Sequence, residues 1–501
     1  MLQLLECSAE GLGKLTEKKQ IAVWGAGGTL KDILYRFKEY EFQKKIKFIV
    51  DSNPKKWGTC VTYENVSIPV MKAEKLAELT DENTIILIAS IFLDDIKKRL
   101  EEMGIRGKCY IFPQVRYEYM LDIKHKMREK TVEDDLIIFR SSLDYSDNAR
   151  VLFDYMIKLG LNKKYRIAWA VADIENFRWL NRYENVEVYS VSLDSVEDTE
   201  KYYKYKYTAK YFFVSHTLNW LQDRKPEQVV FNLWHGCGYK KSKVGKSHRN
   251  SFEYTCVTGP LYKKYQTRFF DCAEEKAVVT GHPKTDLFFT ADTKALKQTL
   301  YLEGYAKLVV WMPTFRNSIL ERLDECTIAC ETGFPIVRSF RQLEELNEEL
   351  EKRNILMIVK LHQYQKNSVY THRKFSNIQV WDSTVLVEKD IQVNEFLACA
   401  DALISDYSST AVDFLSVDRM MGFAIDDYEE YIKGRLFLFD PLEDYLPGYI
   451  LREYHELVEF IEDVANQNDK SYAKRQQLMP QMMKYRDGES SRRILEYLRI
   501  I

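Results

Sequence analysis

The sequence ALISDYSSTAVDF, residues Ala402–Phe414, carries a strong indication of the fold. Its apolar beginning, Ala402–Ile404, has the composition of a short buried strand. A polar elbow, Ser405–Ser409, comes next, and from Thr410 onward the apolar residues recur with helical spacing. The last two serines of the elbow stand where a helix N-cap belongs. The stretch therefore predicts a strand, a polar turn and a helix start in direct succession.

This arrangement suits the binding of a phosphate group. The first backbone N–H groups of a helix are unpaired and lie at the positive end of the helix dipole. Asp413, about one turn into the helix, is placed to reach a ribose hydroxyl or to favour the dipole. An ordinary strand–turn–helix with a serine cap has the same pattern, so the other motifs of the chain decide between the two interpretations.

Length, composition and charge limit the class of protein. At 501 residues the chain is too long for one ordinary core, and two or three domains are expected. Hydrophobic residues make up 46% and charged residues 30%, which is typical of a folded globular protein. The formal net charge of -2 excludes a uniformly basic nucleic-acid-binding protein, and we expect no nucleic-acid partner.

The sequence also indicates a compartment. No apolar run approaches the roughly 20 residues that a membrane helix needs. The N-terminus has neither the basic region nor the cleavage site of a signal peptide. The nine cysteines form no CxxC pair, which argues against structural zinc and for a reducing environment. We therefore expect a cytoplasmic protein.

The first part of the chain has the pattern of a nucleotide-binding α/β unit. Ile21–Trp24 predicts a strand, a glycine turn and a helical pattern follow it, and a second strand ends in Asp51. Gly25, Gly27 and Asp51 are the candidate cofactor-binding residues, although Leu30 occupies the place of the third glycine. The segment resembles the small Rossmann-like domains attached to sugar-modifying enzymes. A nucleotide or nucleotide-sugar site and a domain without a ligand both stay open, because the fold is not itself a function.

A charged stretch, Asp122–Asp135, predicts a linking helix or connector, and we place a domain boundary there. Beyond it, short buried strands alternate with helical segments. This alternation predicts a parallel sheet with both faces covered.

The segment Trp234-His235-Gly236 follows a buried strand and leads into a lysine-rich loop. Ligands of open α/β sheets lie outside the carboxyl ends of the strands, where His235 is expected. A histidine there is a candidate general base, since its reference pKa is about 6.5. A histidine bonded to the loop backbone fits the same position equally well.

The loop after His235 is strongly basic. A solvated surface and a site for an anionic substrate or lipid headgroup are the two interpretations of such a run. Its positively charged candidates are Lys240, Lys241, Lys243, Lys246, His248 and Arg249.

Three more strands of the C-terminal half end in polar residues that suit a phosphate. The exits are Gly281-His282-Pro283-Lys284, Pro313-Thr314-Phe315-Arg316 and Leu361-His362. One such exit is common, whereas the series is much harder to obtain by chance.

These motifs, in this order and at about this spacing, resemble the CDP-glycerol glycerophosphotransferases of teichoic acid synthesis. The resemblance covers about Leu136 to the C-terminus and leaves the N-terminal domain outside. There are departures: Gly-His-Pro-Lys at 281–284 stands where the family more often has Gly-Tyr-Pro-Arg, and Gln363 follows His362 where proline is usual. His282 is therefore a poor candidate for an essential role.

The resemblance implies an α/β fold with a GT-B-like pair of Rossmann-like lobes, preceded by the small Rossmann-like domain. The expected segments are the N-terminal domain (1–120), a linker (121–135), an acceptor lobe (136–292) and a CDP-alditol donor lobe (293–501). The implied reaction is attack of an acceptor hydroxyl on the β-phosphoryl group of CDP-glycerol, with release of CMP.

The resemblance also implies roles for the motif residues. His235 and His362 are the catalytic candidates; His235 would accept the hydroxyl proton, while His362 and Arg316 would meet the pyrophosphate. Asp413 would bond the ribose. The substrate-binding candidates are Trp234, Gly236, Lys240, Thr314, Arg316, Ser405, Asp406, Ser408, Ser409, Thr410 and Asp413.

No obligatory cofactor or protein-bound metal is expected, because no paired carboxylates stand at metal spacing; a Mg²⁺ ion from solution on the pyrophosphate stays compatible. The expected partners are a CDP-alditol donor, a polyprenyl-linked glycan or polymer acceptor and the anionic inner face of the cell membrane. A GT-B glycosyltransferase using a nucleotide sugar and a non-catalytic regulatory protein are the alternatives. The choice of alditol, primase or polymerase activity, and the oligomeric state stay open.

Overall fold

The computed structural model describes residues 2–193, 196–216, 218–241, 248, 251–314, 331–361, 374–434 and 436–501. The chain divides into two compact units. The first comprises Met1–Thr131 with Ser190–Thr208, and the second comprises Val132–Tyr189 with Ala209–Ile501.

Three sheets form the framework, one in the first unit and two in the second. The strands of the first sheet are β1 (Leu2–Glu6), β2 (Gln20–Trp24), β3 (Ile46–Asp51), β4 (Cys60–Tyr63), β5 (Val66–Lys72), β6 (Thr84–Ile88) and β7 (Gly107–Ile111). Those of the second are β8 (Glu133–Arg140), β9 (Arg166–Val171), β10 (Val186–Ser190), β11 (Ala209–Val214), β12 (Val229–Asn232), β13 (Tyr254–Val257) and β14 (Ala277–Val279). Those of the third are β15 (Lys307–Trp311), β16 (Ile355–Lys360), β17 (Ile378–Trp381), β18 (Ala402–Ser405), β19 (Met420–Ala424) and β20 (Tyr449–Leu451).

Helices connect most of these strands. In the first half they are α1 (Ala9–Leu15), α2 (Gly28–Arg36), α3 (Lys75–Leu79), α4 (Leu93–Glu102), α5 (Pro113–Glu129), α6 (Asp147–Lys158), α7 (Ile174–Phe177), α8 (Val196–Thr208), α9 (Pro260–Phe270) and α10 (Pro283–Thr290). In the second half they are α11 (Thr293–Thr299), α12 (Phe340–Lys352), α13 (Thr384–Val387), α14 (Val393–Ala398), α15 (Thr410–Phe414), α16 (Tyr428–Gly434), α17 (Tyr454–Asn466), α18 (Tyr472–Met482) and α19 (Ser490–Tyr497).

The sheet orders confirm the predicted α/β class. The first sheet runs β1-β7-β6-β2-β3-β5-β4, the second β10-β9-β8-β11-β12-β13-β14 and the third β17-β16-β15-β18-β19-β20. In the described residues, the neighbours β9-β8-β11-β12-β13-β14 of the second sheet and all neighbours of the third sheet are parallel, whereas β4 and β5 of the first sheet are antiparallel. The polar residues that follow parallel strands therefore gather at one edge of each sheet.

The stretch predicted to link two domains is helix and strand. Helix α5 continues to Glu129 in the first unit, and β8 begins at Glu133 in the second. Residues 190–208 return to the first unit, where α8 packs on α5 and Tyr203 joins the core. The sequence predicts this segment within the 136–292 lobe, because chain order does not reveal such an excursion.

The second unit contains the second and third sheets, and one of its hydrophobic clusters includes residues from both of them. Cys237 and Tyr239 belong to the same cluster as Tyr407 and Phe439. Helix α19 at the end of the chain packs into the core beside the second sheet. The last helix therefore supports the 136–292 region, although the chain order assigns it to 293–501.

Among the helices in the described ranges, none is long and apolar enough to cross a membrane.

Candidate active site

The loop after β12 has an unusual backbone. Trp234 has a φ of 47° and Gly236 a φ of 137°, both in the left-handed region. A non-glycine residue held there costs about 1–3 kcal/mol, and such residues occur often at functional sites. The surrounding structure must therefore hold Trp234-His235-Gly236 in place.

Asn148, near the start of α6, supplies part of that support. Its side chain is completely buried, and its Nδ2 donates to the main-chain oxygens of Trp234 (2.9 Å) and Leu233 (3.3 Å). Its Oδ1 accepts from the main-chain N–H of Lys284, at 3.0 Å. One side chain thus connects the exit of β12 to the first turn of α10.

The His235 ring reaches solvent, but protein crowds it from several sides. Its centroid lies 4.2 Å from that of Trp234 and 5.4 Å from that of His216. Desolvation by this surrounding, together with the positive charges of Lys284 and His216, lowers the pKa of His235 to about 3. The imidazole is therefore neutral at pH 7, which is the form that accepts a proton as a general base.

Two glycines bring this loop directly against the strand–turn–helix of Ala402–Phe414. A Cβ on Gly236 would lie 3.2 Å from Ser409 Oγ and 3.4 Å from Lys284 Nζ. A Cβ on Gly238 would lie 3.3 Å from Ser409 Cβ. The exits of β12 and β18, in two different sheets, are consequently in contact.

Lys284 lies at the centre of this contact. Its Nζ donates to the main-chain oxygen of His235 at 2.7 Å, and lies 3.0 Å from Asp413 Oδ2 and 3.9 Å from Asp147 Oδ1. Burial alone lowers the pKa of a lysine, but Asp413 and Asp147 outweigh it and raise the pKa of Lys284. The lysine therefore stays charged, and it joins the two sheets of the second unit.

Asp413 differs from its predicted role. Its side chain is only 2% exposed and faces Lys284. Burial raises the pKa of this carboxyl to about 6, although Lys284 opposes the shift. The predicted ribose contact is therefore without direct support, because the carboxylate is already paired with a lysine inside the protein.

Asp406 joins the exits of β15 and β18. Its Oδ2 accepts from both the main-chain N–H and the hydroxyl of Thr314, each at 2.8 Å. The side chain of Asp406 is completely buried, and Ser405, the last residue of β18, is 1% exposed. Both are predicted to bind substrate; Asp406 instead holds Thr314 in place, and nothing in the described part of the structure assigns a contact to the buried Ser405 hydroxyl.

The predicted strand–turn–helix is present, with one difference in its cap. Ser409 occupies the N-cap position of α15, but its side chain makes no capping bond. Ser408 Oγ instead accepts from the main-chain N–H of Thr410, at 3.3 Å. Ser408, Ser409 and Thr410 are half-buried, so part of each residue reaches solvent.

The basic loop is less basic than its sequence suggests. His248 is buried, and burial lowers its pKa, so it adds no positive charge to the surface. Lys240 pairs through its main chain with Phe437, and its Nζ lies 5.6 Å from the centroid of the Tyr431 ring. Five predicted residues lie outside the described part of the chain: His362, Arg316, Lys243, Lys246 and Arg249.

In the first unit, the glycine turn lies at the end of β2 as predicted. Gly25 has a φ of 114°, and a Cβ there would lie 2.3 Å from the main-chain oxygen of Ala89. Gly27 is the N-cap of α2. Asp51 accepts from the main-chain N–H of Ala26 (2.8 Å) and from Lys56 Nζ (2.9 Å). The protein itself thus satisfies this carboxylate, which leaves the predicted nucleotide role without direct support.

The described residues contain no group of three or more His, Cys, Asp or Glu side chains placed to hold a metal ion.

Sequence reasoning missed residues whose partners are distant in the chain. His216 follows β11, the strand that pairs with β12, so neighbouring strand exits place it beside His235. That signal was available from the strand pattern. Asp147, Asn148 and the role of Lys284 had no comparable signal, since their contacts span more than 80 residues.

A model of one protein family matches residues 121–499, and its description is CDP-Glycerol:Poly(glycerophosphate) glycerophosphotransferase. The chain belongs to this family. A second model, of the C-methyltransferase C-terminal domain, matches residues 10–114. The glycerophosphotransferase match thus begins at residue 121, within α5, and the preceding α/β segment lies outside it.

Similar family members include teichoic acid enzymes of Staphylococcus aureus. The ribitol-phosphate polymerase TarK is 27% identical over 310 residues, covering 58% of this chain and 56% of TarK. The glycerol-phosphate transferase is 20% identical over 412 residues, covering 76% of this chain and 96% of the relative. The chain thus spans little more than half the length of TarK.

A solved family structure shows the same fold. The wall teichoic acid polymerase TagF aligns with a TM-score of 0.60 and 19% identity, covering 81% of this chain and 97% of that chain. The similarity confirms the predicted GT-B-like architecture.

Proposed function

We propose that this protein transfers glycerol phosphate, or a related alditol phosphate, from a CDP-alditol to a hydroxyl group of a teichoic acid or similar polymer, releasing CMP. The observation that carries the proposal is the contact between the His235 loop and Ser409. It joins a neutral histidine at one strand exit to a phosphate-compatible strand–turn–helix at another. Family membership agrees with this chemistry.

The chemical step needs positioning and charge neutralisation more than covalent catalysis. A ring nitrogen of His235 takes the proton of the acceptor hydroxyl while that oxygen attacks the β-phosphorus of the donor. The bond from the β-phosphorus to the bridging oxygen breaks, and CMP leaves with the electron pair. A positioned base of this kind contributes about 10²–10⁴-fold to the rate.

The proposed donor site lies at the start of α15. Ser408, Ser409 and Thr410 offer hydroxyl groups at the start of α15, and Asp406 holds the hydroxyl of Thr314. His362 and Arg316, on the chain segments beyond the described residues, complete the proposed pyrophosphate site. Hydrogen bonds to such a charged group contribute about 1.5–3 kcal/mol each.

We also propose that the acceptor is carried on a polyprenyl lipid and that the protein works at the anionic inner face of the membrane. The described basic residues that support this are Lys241 in the loop and Lys263, Lys264 and Arg268 on α9. Each basic residue near an anionic surface adds about 1 kcal/mol of attraction. Binding to vesicles with and without anionic lipid tests this part separately.

A nucleotide-release assay tests the main proposal. The protein is incubated with CDP-glycerol, CDP-ribitol or a UDP-sugar, together with a teichoic acid acceptor, and the free nucleotide is measured. We expect CMP from at least one CDP-alditol and no UDP from the sugar. Release of UDP with transfer of sugar, and none of CMP, would overturn the proposal in favour of a glycosyltransferase. The two CDP-alditol arms also determine which alditol is used.

A further inference from the structure

We propose that Lys284 is a positioning residue that couples the His235 loop to helix α15, where the proposed donor site lies. This inference rests on the function proposed above. Lys284 follows Pro283 at the first turn of α10, yet its side chain reaches elements of both sheets in the second unit. It connects the loop that carries His235 to the helix that follows Ser409.

The Lys284 ammonium group bonds the His235 loop on one side and α15 on the other, as this role requires. Its Nζ bonds the main-chain oxygen of His235, not the ring, so it fixes the loop and leaves the imidazole toward solvent. The same Nζ pairs with Asp413 in α15, four residues after Ser409. Movement of α15 is therefore transmitted to the His235 loop through one ammonium group.

The backbone around His235 includes strained conformations that depend on neighbouring groups. Trp234 and Asp147 both have a positive φ, at 47° and 56°. Non-glycine residues keep such conformations only where neighbouring groups hold them. Lys284 contributes twice, since its main-chain N–H bonds Asn148, which in turn bonds the oxygen of Trp234. Without the lysine, the His235 main-chain oxygen and the Asp413 carboxylate lose a charged partner.

The contacts of Lys284 are consistent with a task set by charge and length. The Lys284 ammonium group bonds both the His235 main-chain oxygen and the Asp413 carboxylate, so both its charge and its reach are needed. An arginine also carries a permanent positive charge and offers several N–H donors. We therefore expect Lys284→Arg to preserve the coupling, and Lys284→Met, which keeps the length without the charge, to abolish it.

Hydrogen exchange tests the coupling without any substrate. In Lys284→Met we expect the amides of 234–238 and of 409–414 to exchange about tenfold faster than in the wild type. Asp413→Asn breaks the same pair from the other side, so it should also speed exchange in 234–238. The matched control is Lys276→Met, because Lys276 Nζ donates to the main-chain oxygen of Phe252 at 2.6 Å in the same region. If Asp413→Asn leaves the 234–238 amides unchanged, the proposal is overturned.

Kinetics with CDP-glycerol and CDP-ribitol supply the second measurement. A misplaced base lowers kcat more than it raises KM, and a displacement of about 1 Å costs up to about 100-fold. We expect Lys284→Met to lose about 10- to 100-fold in kcat, Lys284→Arg to recover most of it, and Lys276→Met to match the wild type. A loss confined to KM, or an equal loss in Lys276→Met, would refute the positioning role. If the wild type transfers from neither donor, the proposed function fails, whereas the exchange result still decides whether the coupling exists.

Discussion

At the scale of single residues, the environment of His235 determines what the site can do. The ring is open to solvent, as a base that meets an acceptor must be, while the nearby protein keeps it unprotonated. The charged side chain nearest to its backbone, Lys284, is already engaged with Asp413. In the proposed mechanism, His235 takes the proton and Lys284 positions the loop that carries it.

The first prediction concerns the base itself. His235→Ala should lower the rate of CMP release by about 10²–10⁴-fold, because a positioned general base contributes a factor of this size. Binding of CDP-glycerol, measured by calorimetry, should persist. His455→Ala is the matched control, since His455 is an exposed histidine in α17. Near wild-type turnover in His235→Ala would show that another group is the base.

The second prediction concerns protonation. The pKa of His235 is lowered to about 3, so the ring stays neutral as the pH falls through the usual range of histidine titration. In NMR spectra of histidine-labelled protein, the signal missing in His235→Ala should not titrate between about pH 5.5 and 8, whereas an unperturbed histidine titrates near 6.5. A midpoint near 6.5 for that signal would contradict the environment described here.

The third prediction concerns the donor site. Ser409→Ala and Arg316→Ala should each weaken the binding of CDP-glycerol, because each removes a hydrogen-bond donor from a pyrophosphate. A bond to a charged group contributes about 1.5–3 kcal/mol, which is roughly a ten- to hundredfold change in Kd. Ser67→Ala, on a strand of the first unit, serves as the control. Unchanged affinity in both site variants would move the donor elsewhere.

At the scale of elements, α10 and α19 illustrate how one side chain organises a helix far away. Asp286 in α10 is 5% exposed and accepts from the main-chain N–H groups of Ser490 and Ser491, each at 2.8 Å. A carboxylate from one helix thus caps the start of another. The last helix of the chain is held beside the second sheet in this way.

The fourth prediction follows from that cap. Asp286→Ala leaves two buried N–H groups unpaired, and each such group costs about 1–3 kcal/mol. We expect the thermal midpoint of the second unit to fall by about 4 °C or more. Asp292→Ala removes an exposed cap of the ordinary kind from α11 and should cost about 1 kcal/mol. Equal midpoints for the two variants would show that burial of the Asp286 cap adds nothing.

At the scale of the whole molecule, the two units are interleaved in sequence. The chain leaves the second unit at the end of β10, adds residues 190–208 to the first unit, and re-enters the second unit at β11. The first unit therefore cannot be removed by a single cut near residue 131. After such a cut, helix α8 would lose its packing against α5, and Tyr203 would lose the hydrophobic core of the first unit.

The fifth prediction tests this interleaving with two fragments. Residues 132–501 alone should aggregate, because α8 then exposes its apolar side chains. Replacing 190–208 by a Gly/Ser linker should restore a soluble, cooperatively melting fragment. The linker must run from the end of β10 to the start of β11. That path is one strand long and crosses β9 and β8, so the linker needs about 15 residues. Gel filtration and thermal melting compare the two, and equal behaviour would contradict the role assigned to 190–208.

The sequence by itself determined the parallel α/β class and the strand exits that carry polar residues. Both are local properties: a strand buried on two faces is a continuous apolar run, and the residue after it is adjacent in the chain. His235, Ser408 and Ser409 were found in this way, and so was the glycine turn of the first unit.

Only the tertiary structure decided which of these residues meet and which are buried. Lys284 and Asp413 are 129 positions apart, and Asp286 and Ser490 are 204 apart. Neither composition nor periodicity records such a pairing, because it depends on how separate sheets pack together. For the same reason Asp413, predicted to bond a ribose, proved to be the buried partner of a lysine. A motif specifies which side chains are available, and packing determines which of them are buried and which reach solvent.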